Sequence, residues 1–61
     1  MDRAQAISLM ESKISHINLR RHMLATEAVM RALATRLGRD EDLWGLTGLL
    51  HDIDLEEVGD D

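Results

Sequence analysis

Sixty-one residues with twelve acidic and seven basic side chains, no cysteine, no proline and a single aromatic make at most one small domain, of net charge −5. Such a chain closes only a marginal core, and without cysteine it has neither disulfide nor thiolate zinc to reinforce it, which leaves a metal on nitrogen and oxygen ligands, or a partner. The negative charge excludes nucleic acid and anionic membrane as main partners, apolar runs of two or three residues exclude a bilayer span, and the lack of a basic-then-apolar leader points to the cytoplasm.

The pattern is helical almost throughout. Ala4, Ile7, Met10, Ile14 and Ile17 recur three or four apart and predict a first helix over about 3–15. A break follows at Ser15-His16, and Asn18 offers an N-cap for a second helix over about 19–37, near 28 Å long at the usual rise. Gly38 suits its C-cap, with Arg36 in the last turn. Asp40 then caps a third helix over about 41–52, whose first turn, Glu41-Asp42, is acidic as the helix dipole prefers. Beyond it, 53–61 is an acidic C-terminal segment.

The third helix is apolar nearly all round: Leu43, Trp44, Leu46, Leu49, Leu50 and Ile53 share its circumference with Gly45 and Gly48. A helix of that kind is buried nearly all round, and two neighbours cover about half of it. The fold class expected is therefore all-α, a three-helix N-terminal portion of a larger bundle. Residues 1–61 then form a single, incomplete domain, completed either by further C-terminal helices or by a homo-oligomer.

Three histidines, His16, His22 and His51, are the candidates for chemistry. With the second and third helices antiparallel about Gly38–Asp40, His22 lies about 24 Å and His51 about 20 Å from the turn, at one level of the hairpin. His22 projects from the stripe of Val29, Leu33 and Leu37 and is expected to point inward, where an unpaired ring is costly. Asp52 adds a hard oxygen beside His51. Two imidazoles and a carboxylate suit Mn, Fe, Co, Ni or Zn, whereas calcium wants more oxygens. A satisfied core histidine gives the same inward pattern, so spacing alone leaves both readings open. Asp52-x-Asp54-x-Glu56 begins like a calcium loop, but Glu57 occupies the glycine position and rules that loop out. His16 falls in a turn and is expected to face solvent. Arg20 and Arg21 either meet a phosphate or keep the helix soluble. Trp44 and the methionines are assigned to the core.

The stretch NLRRHMLATEAVMRALATRLGRDEDLWGLTGLLHDID, residues 18–54, resembles the opening half of the HD-domain superfamily of metal-dependent phosphohydrolases. The features carrying the likeness are a histidine near the start of a long Ala-rich helix, Leu-Gly-x-Asp, and an apolar helix ending in Leu-Leu-His-Asp-Ile. The resemblance implies an all-α bundle with metal ligands His22, His51 and Asp52, and a divalent metal ion as cofactor. It also implies a phosphorylated small molecule or nucleotide as substrate, hydrolysed by a metal-activated water. In that reading Asp52 is catalytic as well as ligating, and Arg20 and Arg21 are nearest to the substrate phosphate. Asp54 stands where many relatives carry glycine, and the family's last metal-binding aspartate lies helices further on, so Asp60 and Asp61 do not fill it. A minority of the family are two-iron oxygenases. The competing expectation is a non-catalytic helical interaction module, a degenerate HD fragment that oligomerises.

Overall fold

The structure is a computed structural model, and it describes residues 1–51 and 53. Three helices follow in chain order: α1 (Arg3–Lys13), α2 (Ile17–Leu37) and α3 (Glu41–Leu50). Among the described residues there is no strand, so the all-α expectation holds.

Local chemistry accounts for most of the boundaries. Asp2 and Gln5 form a capping box at the start of α1: the Gln5 N–H donates to Asp2 Oδ1 at 2.8 Å, and the Asp2 N–H donates to Gln5 Oε1 at 2.9 Å. Gly38 closes α2 in the left-handed conformation at φ 69°, which only glycine adopts without a Cβ penalty, while the Arg39 N–H reaches back to the Ala34 carbonyl at 2.7 Å. Asp40 caps α3 as expected, accepting from the Leu43 N–H at 3.0 Å. Asp40→Ala is expected to cost about 1 kcal/mol, measured as a lower urea midpoint with an unchanged slope.

The α1–α2 connection departs from expectation. α1 stops at Lys13, and Ile14 turns to extended backbone at φ −120° with its side chain fully buried. α2 then begins at Ile17 with His16 as N-cap, and no side chain caps it; Asn18 lies inside the helix. A favourable cap is worth about 1 kcal/mol. Burying an isoleucine side chain is worth roughly 1.5–3 kcal/mol, so the chain turns where Ile14 enters the core. The guanidinium of Arg20 compensates the helix end: Nε donates to the Ile14 carbonyl and Nη2 to the Glu11 carbonyl at 2.9 Å.

The core consists of Ala6, Met10, Ile14, Met23 and Leu49, with Ile7, Leu19, Leu46 and Leu50 packed around it. Beside it lies Glu27, only 3% exposed. Arg3 of α1 donates to Glu27 through Nε at 2.7 Å and Nη2 at 3.1 Å, and Arg31 donates to it through Nε at 2.9 Å. Arg31 also reaches Asp42 of α3 at 2.7 Å, so one ionic chain ties all three helices. Burial pushes the Glu27 carboxyl up, but the hydrogen bonds and charges of Arg3 and Arg31 outweigh it and hold the group below its ordinary value.

This network decides which face of α2 turns inward, and it corrects the expected one. Met23, Glu27 and Ala34 are buried, whereas Val29 (64% exposed), Leu33 (42%) and Leu37 (57%) face outward. α2 carries apolar side chains on two faces, and only one of them also presents Glu27 and Arg31 to the opposite charges of α1 and α3. On α3, Leu43 is 61% exposed. Met10 and Met23 are core residues, but Met1 is exposed, and Met30 and Trp44 are half-buried beside α3's uncovered side.

Candidate metal centre

Contacts between α2 and α3 set the register that positions the histidines. Thr35 bonds Glu41, Arg31 pairs with Asp42, the Arg31 side chain lies over Gly45, and Met30 and Thr26 lie over Gly48. Moving forward along α3 moves the contact backward along α2, so the hairpin is antiparallel. Glycine permits the approach at both crossings: a Cβ on Gly45 would sit 2.5 Å from Arg31 Cγ, and one on Gly48 would sit 2.7 Å from Met30 Cγ and 3.2 Å from the Thr26 carbonyl oxygen.

One turn beyond that second crossing, on each helix, stands a histidine. His51 follows Gly48 by three residues and is the C-cap of α3. Its ring Nδ1 lies 2.7 Å from the Gly48 carbonyl oxygen. A carbonyl only accepts, so Nδ1 carries the proton and the lone pair of the neutral ring is on Nε2. The same bond satisfies one of the carbonyls left over at the end of α3. His22 precedes Thr26 by four residues, on the same strip of helix surface, and its own carbonyl accepts from the Thr26 hydroxyl at 3.0 Å. Two residues expected at one level of the hairpin thus share its open end.

His22 is exposed rather than inward, because the face it shares with Val29 and Leu33 is the one α2 leaves uncovered. It borders a shallow hollow of about 370 Å³ lined with His16, Asn18 and Leu19. His16 is exposed, as its turn position implied. Arg21 is exposed one residue before His22, while Arg20 is half-buried and bonded to the end of α1. Asp52 and the acidic segment from 54 onward lie outside the described residues. Among the described residues, no group of three or more His, Asp, Glu or Cys side chains gathers to hold a metal.

The residues present fit a divalent cation in their donor chemistry. A ring whose Nδ1–H is tied to a backbone carbonyl presents Nε2 in the tautomer that metal-ligating histidines use, and His22 offers a second imidazole at the same end.

A family model described as HD domain matches residues 19–61, which is most of the chain. The chain belongs to the HD-domain family. No curated protein and no solved structure matches it. The HD superfamily includes metal-dependent phosphohydrolases, and HD domains typically bind divalent metals. In this HD domain the match begins within α2, so α1 precedes the matched residues and is joined to them through Ile14, Met10 and the Arg3–Glu27 pair. No helix among the described residues is long and apolar enough to cross a membrane.

Sequence reasoning missed two residues here. Gly48 was read as filling space on an apolar helix, and Thr26 was not singled out. A signal for Gly48 was nonetheless present, since a glycine inside an apolar helix marks a place where another backbone approaches closely.

Proposed function

We propose that this HD domain supplies His22, His51 and Asp52 to a divalent-metal site that hydrolyses a phosphoester, its substrate a phosphorylated small molecule or nucleotide. The observation that carries this reading is the antiparallel α2–α3 register, which takes His22 and His51 to one end of the hairpin, with His51 in the tautomer that presents Nε2. A bound divalent ion (Mn, Fe, Co, Ni or Zn) supplies an acidified water and polarises a phosphoryl oxygen. Asp52, adjacent to His51 in the chain, would ligate the ion and orient its water. Arg21 meets the substrate phosphate. Arg20 does so only by leaving the Glu11 and Ile14 carbonyls, so in this proposal it serves α1 instead.

The test is phosphate release from an aryl phosphate and a panel of nucleotides in the presence of Mn²⁺. The reading expects release that EDTA abolishes and that His22→Ala and His51→Ala each remove. Absence of release, or release indifferent to EDTA, contradicts it.

A second reading has its own observation. Val29, Leu33 and Leu37 of α2 and Leu43 of α3 are large apolar side chains left exposed, as an interaction module that oligomerises would present them. Sedimentation decides it: a stable dimer whose melting ignores Mn²⁺ and EDTA favours this reading over the enzymatic one.

A further inference from the structure

We infer that Gly48 is a positioning residue that sets the separation of His22 and His51 and the orientation of the His51 ring. Three observations converge on it. Its missing side chain lets α3 approach the Thr26 carbonyl of α2, where a Cβ would stand 3.2 Å from that oxygen and 2.7 Å from Met30 Cγ. Its carbonyl holds His51 Nδ1 at 2.7 Å. Across the crossing, the Thr26 hydroxyl bonds the carbonyl of His22. A single contact between helices thus has one histidine a turn away on each side. A side chain at 48 moves the end of α3 off α2 at the level where the two imidazoles stand, and tilts the carbonyl that orients one of them.

Gly45 is the matched control. It lies on the same helix one turn nearer the connection, and a Cβ there is more crowded still, at 2.5 Å from Arg31 Cγ and Nε. The obstruction is a long flexible side chain at a level away from the histidines. Gly45→Val therefore disturbs the helix pair without reaching the site.

The role serves the proposed metal site, but its test is separable from that reading. The chain has no cysteine, so the double variant His22→Cys/His51→Cys carries a unique thiol pair, and the rate of its disulfide closure reports the spacing with no metal present. Adding Gly48→Val is expected to slow closure about tenfold, and Gly48→Val in the otherwise unchanged chain to weaken Co²⁺ binding about tenfold, the lower end of what losing a ligand's supporting contact costs. Gly45→Val is expected to leave both readings unchanged although it lowers thermal stability at least as much. Gly48→Ala, which crowds Met30 less than valine does, gives an intermediate slowing and serves if the valine variant does not fold. Equal closure rates for matched substitutions at 48 and 45 overturn the inference. Co²⁺ binding indifferent to His22→Ala and His51→Ala overturns the metal reading instead, and the closure rates still decide the role of Gly48.

Discussion

Leu49→Ala is expected to leave the chain largely unfolded at 25 °C. Leu49 is fully buried and lies in one cluster with Ala6, Met10 and Ile14 from the α1 region and Met23 of α2, so it is the fully buried side chain that α3 contributes to the shared core. Truncating a buried leucine costs about 2–5 kcal/mol. A single core in a chain below 70 residues rarely supplies more than about 3–5 kcal/mol in total. The loss therefore consumes most of the stability, and the far-UV circular dichroism of the variant should be that of a mostly disordered chain. Leu43→Ala on the same helix is the comparison: Leu43 is 61% exposed, and its truncation should change stability by no more than about 0.5 kcal/mol. Equal losses at the two positions would contradict the assignment of the core.

Acid should unfold the protein through Glu27, and Glu27→Gln should blunt that dependence. The carboxyl is held below its ordinary value in the folded chain by Arg3 and Arg31, although burial pushes the other way. A group lowered in this sense contributes stability that is fully present above its unfolded value and is lost as pH falls through its folded value. Stability should thus be flat near neutrality and fall once the pH drops below the usual carboxylate range. At pH 7 the glutamine variant should lose about 1.5–3 kcal/mol, the worth of hydrogen bonds to a charged group. A larger loss is not expected: the side chain of Arg3 is 58% exposed, and Arg31, only 20% exposed, keeps its bond to Asp42, so neither is left as an unpaired buried charge. The two stability curves should converge in acid. The Arg31–Asp42 pair, with the Asp42 side chain 87% exposed, adds little stability, as surface pairs do. Parallel curves for wild type and variant would remove Glu27 from the account.

The elements legible in the sequence are those whose signals are local. Asp40 and Gly38 mark boundaries through bonds to backbone groups a few residues away, and each is found where those bonds form, with the acidic first turn of α3 following Asp40. The shared level of His22 and His51 was legible for a similar reason, since a short connection and a fixed rise determine it. Which face of α2 turns inward was not. Val29 and Leu33 make as good a stripe as Met23 and Met30, and the choice rests on Arg3 and Asp42, far from Glu27 and Arg31 in sequence. Glu27 and Arg31, spaced four apart, read as an ordinary exposed pair on one helix, so nothing local marked their face as the buried one. The start of α2 was misread because Asn18 is a good cap in isolation, whereas Ile14 moves the boundary by entering the core.

The proposed centre also carries a structural consequence for α1. Arg20 is spent on the end of that helix, so its removal should loosen α1 without touching either histidine, which separates the helix's role from that of the site.

The central claim is that His22 and His51 bind one cation together. Titrating Zn²⁺ into the chain with ¹⁵N-labelled imidazoles tests it most directly, because the ring nitrogens report ligation residue by residue. The account predicts that Nε2 of His51 and a ring nitrogen of His22 shift together and saturate at one equivalent, with Nδ1 of His51 still protonated and His16 unmoved. Shifts of His51 without His22, or of His16 in its place, would contradict it.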